Sequence, residues 1–193
     1  MDSPAVVLFG GVCAILGGLL SGAYEHIRDV LTRPRLSIDF EGGSANLTAA
    51  EYMRGDKRIA ELYVRVRIRN KGKRIGTSCR VFLTRLLEVQ PSGATVAKFY
   101  DARQLAWAGY EFSARDIPRG VDFYVDVVRI SKHESGWLFG VEKLFASELE
   151  LLRYRGTYRF QLLVTADNAK PAACAVDVSY DGDWHGLRAL KPR

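Results

Sequence analysis

The chain has 193 residues, 48% of them hydrophobic and 26% charged, and 28 Lys and Arg against 22 Asp and Glu give a net charge of +6. That is one domain of ordinary size with an appendage, and it excludes two full domains, a disordered chain and a repeat solenoid. The charge is uneven: residues 54–80 hold ten basic side chains against Asp56 and Glu61, so this segment carries +8 and the remainder −2.

The N-terminal segment has no charged side chain from Ser3 to Tyr24. Its 22 residues span about 33 Å as a helix, enough for the hydrocarbon layer of a bilayer. The expected domain plan is a transmembrane helix at 4–24, a juxtamembrane linker at 25–34, a β-sandwich at 35–185 and a basic tail at 186–193. Two other readings stand beside the span. Ser21-Gly22-Ala23 has the small residues of a signal-peptidase site, although Asp2 replaces the usual positive start; a buried core helix is the third. For a span, Arg28, Arg33 and Arg35 put the C-terminal side in the cytoplasm by the positive-inside rule, making a single-pass inner-membrane protein.

On a helical wheel the small residues Gly10, Gly11, Ala14, Gly17, Gly18, Ser21 and Gly22 share one face, and Leu8, Phe9, Val12, Ile15, Leu16, Leu19 and Leu20 share the other. The row Gly10, Ala14, Gly18, Gly22 repeats every four residues, which lets two helix backbones approach closely in lipid. The expectation is a homo-oligomer joined through this face, with the bilayer as first partner.

After Pro34 the period changes to two. Leu62, Val64, Val66 and Ile68 alternate with Tyr63, Arg65, Arg67 and Arg69, the polar turn Asn70-Lys71-Gly72-Lys73 follows, and Cys79, Val81 and Leu83 then alternate with Arg80, Phe82 and Thr84. Further strands are predicted at Leu36 to Phe40, Thr95 to Tyr100, Val121 to Ile130, Thr157 to Thr165 and Ala173 to Tyr180. Seven or eight strands in this arrangement give an all-β fold, an antiparallel sandwich. From His133 to Tyr154 the residues Trp137, Leu138, Val141, Leu144, Phe145, Leu149 and Leu152 lie at helical spacing, so a short amphipathic helix is expected there, with strand as the alternative for its last residues, where Glu148 and Glu150 alternate with Leu149 and Leu151.

The stretch "VRIRNKGKRIGTSCRVFLTRL" resembles the Asn-x-Gly turn of bacterial immunoglobulin-like and cell-adhesion-related sandwich modules. "IPRGVDFYVDVV" resembles their Pro-Gly lead-in to a strand, and "GTYRFQLLVTADNAKP" is similar to their penultimate strand. The resemblance implies an immunoglobulin-like fold with Tyr158 as a tyrosine-corner residue. It implies nothing about activity.

No motif for catalysis, a cofactor or a metal is present, and His26, His133 and His185 have no partner at ligand spacing. Cys79 and Cys174 are in phase with core positions and read as buried reduced thiols. Asn46-Leu47-Thr48 matches a glycosylation sequon. Asp122 and Asp126 read as outward strand positions. One feature invites a functional reading: Arg65, Arg67 and Arg69 on one strand face, with Lys71, Lys73 and Arg74 in the turn, form a positive stripe. It is either a solvated, edge-protecting face or a contact for an anionic surface such as lipid headgroups. Nucleic acid is disfavoured, since Tyr63 alone supplies an aromatic in phase. The functional expectation is a membrane-anchored binding or scaffolding protein and not an enzyme, possible protein partners included; an exported adhesion-type sandwich and an enzyme with a loop-built site are the alternatives.

Overall fold

The computed structural model describes residues 21–99, 101–109, 111–132, 137–139 and 155–192. The chain divides into two units, Met1–Arg33 and Pro34–Arg193.

In the first unit, residues 21–32 are helical. Thr32 Oγ1 donates to the Arg28 carbonyl at 2.7 Å, and the Arg33 amide donates to the Asp29 carbonyl at 3.0 Å, closing the last turn. The expected linker at 25–34 is therefore helix over most of its length. Among the described residues no helix is long and apolar enough to cross a membrane. The expected span lies outside the described residues except for its last four positions, and so do Gly10, Gly11, Ala14, Gly17 and Gly18. Ser21 and Gly22 fall on the described helix, where a Cβ added at Gly22 would meet nothing within 4 Å.

The second unit is made of antiparallel strands: β1 (Leu36–Asp39), β2 (Leu47–Arg54), β3 (Lys57–Asn70), β4 (Gly76–Val89), β5 (Thr95–Phe99), β6 (Arg103–Gln104), β7 (Arg115–Ile117), β8 (Asp122–Ser131), β9 (Trp137–Phe139), β10 (Gly156–Ala166), β11 (Ala169–Tyr180) and β12 (Arg188–Leu190). They form two sheets. In the five-stranded sheet, β3 is the spine. One of its edges takes β2 along residues 57–64 and β1 along 67–70, while the other takes β8, which in turn pairs with β9. In the seven-stranded sheet the order runs β12, β11, β10, β4, and the far edge of β4 is shared by β7, β6 and β5 in turn.

Alternation explains why these sheets face one another. Val64, Val66 and Ile68 of β3 are fully buried together with Cys79, Val81 and Leu83 of β4, Phe160, Leu162 and Val164 of β10, and Val176 and Val178 of β11, all in one core. Burying such side chains supplies roughly 1.5–3 kcal/mol each before conformational entropy is charged against it. Trp107 joins this core, its ring edge-on to Phe123 at 5.9 Å and its Nε1 donating to the Ser113 carbonyl at 2.9 Å. A buried indole N–H needs such a partner.

Strands are present at each of the predicted stretches, those read from alternation and those read from β-branched and aromatic enrichment. Others were not predicted, and each has a physical reason. β2 reads LTAAEYMR, with no apolar alternation to reveal it; its hairpin to β3 turns at Gly55-Asp56, where Gly55 takes φ +63 at the first central position, the requirement of a type II′ turn. β6, β7 and β12 are only two or three residues long and exist because a neighbouring edge offers pairing. Trp137 and Leu138, expected on a helix, lie instead on β9, where Trp137 stands opposite Ile130; the rest of that expected helix lies outside the described residues. Arg188–Leu190, within the expected tail, pairs with β11, and Leu187 and Ala189 are buried.

Two asparagines pin the loops that frame the five-stranded sheet. Asn70, at the end of β3, accepts from the amides of Arg35 and Gly72 at 3.1 and 2.9 Å, and donates to the carbonyls of Arg74 and Ile117 at 2.7 and 2.9 Å. Asn46 accepts from the amides of Glu41 and Gly42 at 3.0 and 2.8 Å and donates to the Arg65 carbonyl at 2.7 Å. With its amide spent in this way and its side chain buried, the sequon asparagine is a structural residue.

Candidate functional site: the charged face of the five-stranded sheet

The outward positions of β3 are Glu61, Tyr63, Arg65, Arg67 and Arg69, since the inward ones are Val64, Val66 and Ile68. Register places Arg65 opposite Asp126 and Arg69 opposite Asp122 of β8, with Asp39 of β1 opposite Arg67 on the other edge. Carboxylates distant in sequence are thus delivered to each rung of the ladder.

Arg65 Nε donates to Asp126 Oδ1 at 2.5 Å, and its guanidinium lies 4.8 Å from the centroid of the Tyr63 ring. Arg69 grips Asp122 with two bonds, Nε to Oδ1 at 2.6 Å and a terminal nitrogen to Oδ2 at 3.0 Å. Lys71 Nζ reaches Asp39 at 3.1 Å. Arg67 sits among Glu41, Asp122 and Asp39 at 3.4, 3.7 and 3.8 Å, shared by three carboxylates and bound tightly by none of them. At the other end of the row Arg129 of β8 donates to both oxygens of Glu61 at 2.7 and 3.0 Å, and the Tyr63 hydroxyl donates to Glu61 as well. Five cations, Arg65, Arg67, Arg69, Lys71 and Arg129, meet five carboxylates, Glu61, Asp126, Asp122, Asp39 and Glu41.

The positive stripe expected from the sequence is therefore neutralised along β3. Lys73 and Arg74 remain exposed in the turn beyond it. Asp122 faces outward as expected; Asp126 does too, but is only 2% exposed, and Glu61 only 1%. A bulge makes this arrangement: the register steps from Val64 opposite Val128 to Arg65 opposite Asp126, leaving Val127 as the extra residue and bringing the Asp126 carboxylate against Arg65. No spacing rule finds such pairs, because the partners are tens of residues apart.

The acids are held differently. The Arg69 hydrogen bonds keep the Asp122 carboxyl below the usual range. At Asp39 burial pushes upward, and the Lys71 hydrogen bond with the charges of Lys71 and Arg67 outweighs it, leaving the carboxyl low. At Asp126 burial wins over Arg65, and the carboxyl is raised. Its second oxygen, Oδ2, is buried and accepts no hydrogen bond among the described residues.

Among the described residues, hollows open on both sheets. A small one of about 100 Å3 lies beside Arg67, lined by Asp39, Glu41, Ala45, Asn46 and Tyr124. A wider, shallow cleft of about 630 Å3 opens on the seven-stranded sheet, where Ala173 and Ala175 of β11 leave room beside Gln161, Leu163, Thr84 and Arg85. Cys79 is buried and Cys174 half-buried, both as free thiols, and burial pushes the Cys79 thiol up to about 11. Among the described residues no group of three or more His, Cys, Asp or Glu side chains is arranged to hold a metal. No protein-family model matches the chain and no curated protein matches it.

Proposed function

We propose that the chain is a membrane-anchored binding module: one N-terminal span, self-associating through its small-residue face, carrying an immunoglobulin-like sandwich on the cytoplasmic side. The observation that carries this reading is the stretch from Ser3 to Tyr24 without a charged side chain, followed by Arg28, Arg33 and Arg35 among Glu25 and Asp29, and then by a two-sheet domain with its own core. The free thiols Cys79 and Cys174 support a reducing compartment. Neutralisation of Arg65, Arg67 and Arg69 removes the argument for an anionic-surface contact through β3, which therefore has no part in the proposal.

The test is fractionation with topology mapping. The full chain should stay in the membrane pellet through alkaline carbonate extraction, and a thiol placed in the exposed turn by Ser92→Cys should react with an impermeant maleimide only after the membrane is opened. Release by carbonate rejects the anchor; labelling in intact cells rejects the orientation. Gly18→Leu should weaken oligomers in a membrane two-hybrid assay, and an unchanged signal rejects the helix interface.

A further inference from the structure

Residues 21–32 sort their side chains by polarity. At about 100° per residue, Val30, Ala23, Ile27, Leu31 and Tyr24 fall within one arc of about 120°, and Arg28, Thr32, Glu25, Asp29, Arg33 and His26 fill the opposite side. The apolar arc is bare: Tyr24, Ile27, Val30 and Leu31 are exposed by 43% to 66%. Four large apolar side chains aligned on one helix face need a cover.

Sequence continuity identifies the cover. The arc begins where the uncharged stretch ends, so the residues just before it are the ones assigned to the bilayer. Its composition is that of a helix lying in an interface: an aromatic at the boundary, aliphatic side chains along one face, and arginines on both flanks, Arg28 beside Tyr24 and Arg33 on the side of Val30. An arginine so placed rests its stem on hydrocarbon and carries its guanidinium to lipid phosphate. A second copy of the chain is the competing cover. The row assigned to helix pairing, Gly10, Ala14, Gly18 and Gly22, ends before the arc begins, however, so that pairing does not supply its cover.

We infer that residues 23–31 form an interfacial helix whose Tyr24, Ile27, Val30 and Leu31 side chains enter the boundary between headgroups and acyl chains of a bilayer, with the charged arc turned to water. This rests on the membrane reading above. It adds a second lipid contact, made by an element that lies along the surface.

The experiment places a benzophenone side chain, one position at a time, at Leu16, Ile27, Asp29 or Leu31 of the full chain, reconstituted in vesicles of phosphatidylcholine and phosphatidylglycerol. After irradiation, mass spectrometry reads lipid adducts and chain-to-chain adducts. Positions 16, 27 and 31 should give lipid adducts, with 27 and 31 several-fold above 29. Lipid adducts at 16 with none at 27 and 31, or with chain-to-chain adducts at 27 and 31, overturn the interfacial helix and leave the anchor standing. No lipid adduct at 16 overturns the anchor, and the interfacial helix with it.

Discussion

Arg65 and Asp126 face each other across β3 and β8 at the bulge, joined by a 2.5 Å bond from Nε to Oδ1, with the carboxylate almost wholly enclosed and the guanidinium stacked on Tyr63. Each explains the other's tolerance of burial. Removing one leaves a poorly solvated charge, which costs more than the pair itself contributes.

Asp126→Ala should lower stability by about 2–3 kcal/mol, below the range for a fully buried pair because Arg65 keeps some solvent contact. Urea unfolding measures it. The double variant Arg65→Met with Asp126→Leu should recover most of the loss; a double variant no more stable than Asp126→Ala would show that the charges, and not the stranded partner, set the stability.

Acid should destabilise the domain through Asp39 and Asp122. Their folded carboxyls lie below the ordinary range, so the stability they add is present above about pH 4 and is lost as pH falls through the lower folded values. Asp126 has the opposite sign: raised in the fold, it contributes stability below its unfolded value that is lost as pH rises through its folded one. Asp122→Asn should flatten the acid limb of the urea midpoint plotted against pH, and Asp126→Asn should steepen it.

Asn70 closes a turn, the start of β1 and the end of β7 with four hydrogen bonds from one buried amide. Asn70→Ala should cost about 3 kcal/mol, since it strands two backbone donors and two carbonyls. Asn70→Asp keeps an acceptor for the two amides but sets a carboxylate oxygen against the Arg74 and Ile117 carbonyls, and should be no more stable than Ala in thermal unfolding.

The thiols should differ in reactivity. With its thiol at about 11 and no exposed surface, Cys79 is about one part in a thousand thiolate at pH 8 and should react with Ellman's reagent only on unfolding. Cys174, half-buried and also raised by burial, should react in the native state, more slowly than a free thiol. Reaction of Cys79 as fast as that of Cys174 would contradict the packing of Cys79 against Gly76 and the core.

The sequence makes β3 legible because one of its faces is apolar without interruption, and β10 and β11 for the same reason; β4 and β8 show it only in part, because each carries a bulge. It hides β2, whose alanines alternate with nothing, and the three-residue strands, whose pairing is decided by an edge elsewhere in space. The ladder shows the same division. Its arginines are adjacent along one strand, so their shared face follows from period two; their carboxylates arrive from β1 and β8, and the bulge that delivers Asp126 leaves no local mark. Along the chain Arg65, Arg67, Arg69 and Lys71 read as a positive stripe, and through space they and Arg129 stand among five carboxylates.

The length of β3 also constrains how the domain is born. β1 and β2 precede it or turn directly into it, but its other edge waits for β8, more than fifty residues later, and the pairing of β4 with β10 spans up to 85 residues, from Arg80 to Thr165. Loops of that size close slowly. A nascent chain therefore carries an unpaired edge on β3 and on β4, and an incomplete core between them, until residues 156–166 have been synthesised, and translation through that point is the period in which the domain is exposed to chaperones and to neighbouring nascent chains.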